Sequence, residues 1–262
     1  MRVLVTNDDG IDAPGIMALA RVLAEHHEVV VAAPDRDMSG SSAGIARFGG
    51  MREIVFTPHE LPSLDGVRAF TVAAGPGLAV LTGCLGAFGD PPDLVVSGIN
   101  AGANLGHSIL HSGTVGAVLT AQSFGVRGLA ISAARGDPWQ WETACRYALV
   151  MTGWLAKLPP RTAINLNVPA LPFDEVRGLR HAKLDRFGTI RLALTDESRG
   201  PLQIELRDGA VDPEPGTDSF LLARGFATYT ALVGVGEVDL SVEPHAGLVG
   251  PVEQRVVAGG DA

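Results

Sequence analysis

Apolar positions along the first two-thirds of the chain follow two alternating rhythms. Short continuous runs such as Val3-Leu4-Val5 and Val29-Val30-Val31-Ala32-Ala33 are followed by stretches where apolar residues recur every three or four positions. Runs of that length fit parallel strands covered on both faces, and Ile16, Leu19, Ala20 and Leu23, at i, i+3, i+4 and i+7, predict a helix. The alternation continues. Strands are expected at Asp93–Ser97, Leu129–Ser132 and Ile164–Val168, and helices over Gly77–Phe88, Thr114–Phe124 and Pro138–Leu158. The last carries Trp141, Ala144, Cys145 and Ala148 on one stripe. Two shorter strands, Glu53–Thr57 and Val67–Val72, are expected in between. This order predicts an α/β fold, a doubly wound and mostly parallel sheet with right-handed crossovers. Beyond Pro169 the texture changes: Leu202–Arg207 alternates apolar with polar residues and meets Asp208-Gly209, a hairpin signal. Residues 1–169 therefore read as the α/β core, and 170–262 as a β-rich extension that covers the site or mediates assembly. The stretch Gly250–Ala262 shows no pattern.

Composition narrows the function classes. At 262 residues, with 46% hydrophobic and 19% charged residues, the chain supports a substantial core and is not disordered. Its 33 glycines and 17 prolines suggest many tight turns and a loop-rich active face. A net charge of −9 argues against nucleic-acid or membrane partners. A small phosphorylated substrate remains compatible with it, because a bound divalent ion inverts the local field. Cys84 and Cys145 lack any metal-type spacing and read as buried free thiols. The apolar stretch Leu78–Phe88 is too short to span a bilayer, and Met1-Arg2 leads straight into a strand, so the cytoplasm is the expected location.

Candidate chemistry gathers in three loops, each after an expected central strand. The first is Asn7-Asp8-Asp9-Gly10. Open α/β sheets bind ligands at this edge, and two adjacent anions there need a cation or a proton. Helix capping would explain one aspartate; it does not explain two. The second loop, Ser39-Gly40-Ser41-Ser42, is on its own an ordinary surface loop. The third runs from Ser97-Gly98-Ile99-Asn100 through Asn104 to Ser112-Gly113-Thr114, where a helix begins. Free amides at such a start suit a phosphate, with simple N-capping as the competing reading. Together the three loops suggest metal-assisted phosphoryl chemistry. The histidines flanking the helix start, His107 and His111, are candidates for protonating a leaving oxygen.

The segments Asn7–Ile16, Ala33–Gly40, Pro92–Asn100, Ala103–Gly106 and Ser112–Ala117 resemble those of the SurE family, and Leu166-Asn167-Val168-Pro169 extends the likeness. The resemblance implies a Rossmann-like core and a metal-dependent phosphatase of nucleoside monophosphates. It implies one divalent ion per subunit, Mg²⁺ or Mn²⁺, held by Asp8, Asp9, Ser39 and Asn100. Asp8 and Asp9 are the catalytic candidates, with either Asp8 or a water molecule attacking phosphorus. Asn104, Ser112, Gly113 and Thr114 are expected near the substrate phosphate. The resemblance further implies a C-terminal swap arm and a homodimer or homotetramer. Departures from the family pattern fall at Ala74–Leu78, at Ser108 and His111, and at Thr230-Ala231-Leu232. They leave two alternatives open: a specialised phosphatase of a non-nucleotide metabolite, and a binding or assembly protein that has lost catalysis.

Overall fold

The computed structural model of the chain describes residues 1–45, 53–62, 64–186, 191–195, 203–207 and 213–236. Its first half alternates as expected: β1 (Arg2–Thr6), α1 (Pro14–Ala24), β2 (Glu28–Pro34), β3 (Phe56–His59), β4 (Arg68–Val72), α2 (Pro76–Cys84) and β5 (Leu94–Ala101). A 3-10 turn (Gly106–His111) precedes α3 (Gly113–Ser123), then β6 (Arg127–Ala133), α4 (Trp141–Leu155) and β7 (Ala163–Val168). The remainder holds β8 (Leu179–His181), β9 (Arg191–Thr195), β10 (Gln203–Arg207), α5 (Asp218–Leu222) and β11 (Ala227–Leu232).

Nine strands form one sheet in the order β3-β4-β2-β1-β5-β6-β7-β11-β8. The six from β4 to β7 are parallel, while β3 at one end and β11 at the other join antiparallel. The doubly wound α/β prediction holds. Alternation along the strands builds two cores. Val3, Val5, Val31, Val96, Leu129 and Ile131 pack with Ile16, Leu19 and Met151 on the α1/α4 side. Leu4, Ala32 and Val95 pack with Leu78, Ala79 and Ala117 on the α2/α3 side. Both faces are covered, which is why these strands read as unbroken apolar runs.

Several boundaries moved. The strand expected at Glu53–Thr57 lies at Phe56–His59, because antiparallel pairing with β4 sets its position and an edge strand tolerates Pro58. Helix α2 ends at Cys84 instead of Phe88, before Gly86 and Gly89 take positive φ. Helix α4 begins at Trp141, three residues after Pro138. Strand β5 continues past Ser97, resuming its pairing at Asn100↔Ser132 after a register shift. Within Leu202–Arg207, residues Gln203–Arg207 form β10, which pairs antiparallel with β9. The expected turn at Asp208-Gly209 lies outside the described residues, as does Gly250–Ala262. Part of the segment after residue 170 continues the main sheet, since β11 pairs with β7.

Both cysteines are free; Cys145 is buried and Cys84 half-buried, and burial pushes each thiol up to about 11. Among the described residues, no helix is long and apolar enough to cross a membrane.

Candidate functional site

The strand order reverses direction between β1 and β5, the switch point where open sheets leave a crevice at their carboxyl ends. The three predicted loops leave β2, β1 and β5 there, from adjacent strands. Backbone bonds stitch the first two together: the Met38 amide donates to the Asp8 carbonyl at 2.7 Å, and the Ile11 amide to the Pro34 carbonyl at 2.9 Å. On the β5 side the backbones nearly touch. A Cβ on Gly15, at the start of α1, would sit 2.0 Å from the Ile99 carbonyl oxygen, so only glycine fits.

Asp8 is 3% exposed, and its Oδ1 accepts a hydrogen bond from Thr114 Oγ1 at 2.6 Å. Burial raises its carboxyl above the ordinary 3.8, partly offset by the Thr114 hydroxyl and by the amides of Asp8, Gly113 and Thr114. The start of α3 can come so close because residue 113 is glycine. A Cβ there would lie 2.7 Å from Asp8 Oδ2 and 2.8 Å from Ser41 Oγ. Asp9 is half-buried, and burial first, then the Asp8 charge, push it up to about 6, with the Ala101 amide pulling the other way.

No salt bridge joins Asp8 or Asp9 to a cationic side chain among the described residues. Nor do three or more His, Cys, Asp or Glu side chains gather there as a metal cluster. A cation at this edge would therefore rely on the two carboxylates plus neutral oxygens. Ser39 is exposed, and its hydroxyl donates to Asp37 Oδ1 at 2.6 Å, which leaves the Ser39 oxygen's lone pairs free. Asn100 is half-buried, and its Nδ2 donates to the Gly102 carbonyl at 2.7 Å, leaving Oδ1 as the spare acceptor. A buried and a half-buried carboxylate, a hydroxyl and an amide oxygen are hard donors of the kind that suits Mg²⁺ or Mn²⁺.

On the helix side, Ser112 caps α3, its Oγ accepting from the Val115 amide at 3.1 Å. Gly113 and Thr114 are buried, and the Thr114 hydroxyl is committed to Asp8. The helix start thus supports the carboxylate directly, a role that the sequence reading did not give it. Asn104 is half-buried and enclosed by hydrogen bonds from β6 and β7. His107 and His111 are exposed.

The family model of "Survival protein SurE" matches residues 3–189. The chain belongs to the SurE family. A protein of Alkalilimnicola ehrlichii named 5'-nucleotidase SurE is 36% identical over 246 residues, covering 92% of this chain and 91% of that protein. One from Chloroflexus aggregans with the same name is 39% identical over 239 residues, covering 88% and 92%. The 5'/3'-nucleotidase SurE of Cronobacter sakazakii is 35% identical, covering 92% of each. The crystal structure of the SurE protein from Aquifex aeolicus superposes with a TM-score of 0.75 at 26% identity, covering 90% of this chain and 94% of that one.

In this SurE-family chain the structure adds Asp218, a residue to which sequence reasoning gave no task. It is fully buried, 112 positions from Gly106 along the chain. Its Oδ2 accepts from the Gly106 amide at 2.8 Å, and its Oδ1 from the amides of Asp185 at 3.0 Å and Ser219 at 2.8 Å. It clamps the segment after Asn104 to the C-terminal part. Its only sequence signal is Thr217-Asp218 opening a five-residue helix, with the Thr217 Oγ1 accepting from the Phe220 amide.

Two predictions follow from these carboxylates. Asp9→Asn removes the repulsion with Asp8 and should stabilise the metal-free protein by about 1 kcal/mol, read as a higher urea midpoint. An unchanged or lower midpoint would contradict the crowding. For Asp218, burial outweighs the three amide bonds and raises the carboxyl above 3.8. The folded form then keeps the proton to higher pH than the unfolded form, so stability falls as pH rises through that window. Asp218→Asn does not ionise. The difference in unfolding temperature between the two proteins should shift in the variant's favour as pH is raised from about 4.

Proposed function

We propose that this SurE-family chain is a phosphomonoesterase that requires one divalent ion, Mg²⁺ or Mn²⁺, per subunit and hydrolyses nucleoside monophosphates. The observation that carries this reading is the Asp8-Asp9 pair at the sheet's switch point, Asp8 buried and restrained by Thr114 and Asp9 half-buried and pushed up by the charge beside it. The names of the relatives support the substrate class, 5'-nucleotidase for two of them and 5'/3'-nucleotidase for the third.

In this reading Asp8, Asp9, Ser39 and Asn100 hold the ion. Bound there, it supplies the positive charge that offsets the phosphate oxygens as the ester bond breaks. The chain's own groups do the rest. Thr114 ties down one oxygen of Asp8, so the other keeps a fixed bearing toward ion and substrate. Ser112, Gly113 and Asn104 line the substrate side, and the dipole of α3 favours negative charge at its start. Attack comes from Asp8 itself or from a water molecule it orients. The proposal includes a cytoplasmic homodimer or homotetramer, with residues 170–262 contributing to assembly and to covering the site.

The test is phosphate release from a panel of nucleoside monophosphates and other phosphorylated metabolites. EDTA should abolish turnover, and Mn²⁺ or Mg²⁺ should restore it. Asp8→Asn should lose roughly a hundredfold or more in kcat while its circular dichroism stays that of the folded protein. Turnover indifferent to chelation overturns the metal dependence. A preference for non-nucleotide esters overturns the substrate class alone.

A further inference from the structure

Three buried polar side chains beneath the site have no part in the scheme above. Asn165 and Asn167 occupy alternate positions of β7, so both project from one face of the sheet, and each is 1% exposed. Ser132 on the neighbouring β6 is fully buried and pairs in register with Asn167. The residues between them, Ile131, Ile164, Leu166 and Val168, belong to the apolar core on the opposite face. A central strand covered on both faces ordinarily fills such positions with aliphatic side chains.

All three converge on one residue. Asn167 matches the backbone of Asn104 with a pair of bonds: Asn104 N donates to Asn167 Oδ1 at 2.8 Å, and Asn167 Nδ2 donates to the Asn104 carbonyl at 2.8 Å. Asn165 Nδ2 donates to the same carbonyl at 2.9 Å. The Asn104 side chain donates from Nδ2 to Ser132 Oγ at 2.8 Å. Both the main chain and the side chain of Asn104 are thereby fixed against the sheet. The arrangement has a cost in stability, because Asn165 Oδ1 is buried without a hydrogen-bond partner. Aliphatic residues there would strip the Asn104 amide and carbonyl of these partners, and the four bonds together hold that residue in one position.

We infer that Ser132, Asn165 and Asn167 are positioning residues of the reaction: they set the place of Asn104, and through it the rate of phosphoester cleavage. The inference rests on the phosphatase reading and deepens it. A shift of about 1 Å in a substrate-contacting group can cost on the order of a hundredfold in rate.

The test compares Asn167→Ala, Ser132→Ala and the hydroxyl-retaining Ser132→Thr with the wild type in two measurements. The first is amide hydrogen exchange over residues 103–107 in metal-free protein, which needs no activity. Asn167→Ala should speed exchange there by roughly tenfold or more while the rest of the sheet stays protected. The second is steady-state hydrolysis of p-nitrophenyl phosphate with Mn²⁺. Asn167→Ala and Ser132→Ala should lose about tenfold or more in kcat with KM changed less, and Ser132→Thr should recover most of it. Unchanged exchange at residues 103–107 overturns the inference whatever the kinetics. So does faster exchange with undiminished kcat, which would make the three residues structural supports only. A wild type that exchanges as expected but hydrolyses neither p-nitrophenyl phosphate nor any nucleoside monophosphate overturns the phosphatase reading instead, and the exchange result still decides whether Asn104 is held.

Discussion

The hydrogen bond from the Thr114 hydroxyl to Asp8 is the interaction on which the site depends. A carboxylate that is 3% exposed has lost most of its water, a loss of several kcal/mol unless other groups replace it. Here the replacement comes from one end of one helix. The 2.6 Å bond to Thr114 is charge-assisted, of a kind worth about 1.5–3 kcal/mol, and the amides that open α3 act in the same direction. Burial still prevails and the carboxyl stays raised, so the pair Asp8-Asp9 remains short of positive charge. The helix makes the carboxylate tolerable without neutralising it. That residual demand is what a divalent ion satisfies in the proposed enzyme.

A second constraint acts on the loop between β5 and α3. It is held at Asn104 by Asn165, Asn167 and Ser132 from beneath, and at Gly106 by Asp218 from the C-terminal part. The His107 amide adds a bond to the Asp185 carbonyl. Strand β7 divides its two faces between two tasks. Ile164, Leu166 and Val168 build the core toward α1 and α4, while Asn165 and Asn167 serve the loop on the other side. On this strand, apolar burial supplies stability on one face, and hydrogen bonds fix geometry on the other.

This division explains what could be read from the sequence. Strands β1, β2, β5 and β6 were legible from their apolar runs and β7 from its alternation, and Asp8, Asp9 and Asn100 because they lie just past such strands. Asn165 and Asn167 were not. In Ile164-Asn165-Leu166-Asn167-Val168 the alternation is the signature of a half-exposed strand, and only the loop packed over it shows that both asparagines are buried. Asp218 was hidden by distance: its amide partners at Gly106 and Asp185 lie 112 and 33 residues away. The strand expected at Glu53–Thr57 was displaced because its position is set by its partner β4, which local pattern does not reveal.

Helix α3 draws these constraints together, and small residues make that possible. A Cβ on Gly116 would lie 2.4 Å from Ala43 N, just as one on Gly113 would meet Asp8 and Ser41. The helix is therefore wedged against the first two loops at once, and any shift of its first turn would disturb Asp8 and the segment after Ser39 together. Adaptation to a particular substrate cannot easily occur there. It can occur in the 3-10 turn just before the helix, where Leu110 is 70% exposed and His111 faces solvent. Ser108 and His111 fall in that turn. Packing therefore fixes the carboxylate centre, whereas the exposed side chains of the 3-10 turn are free of that constraint.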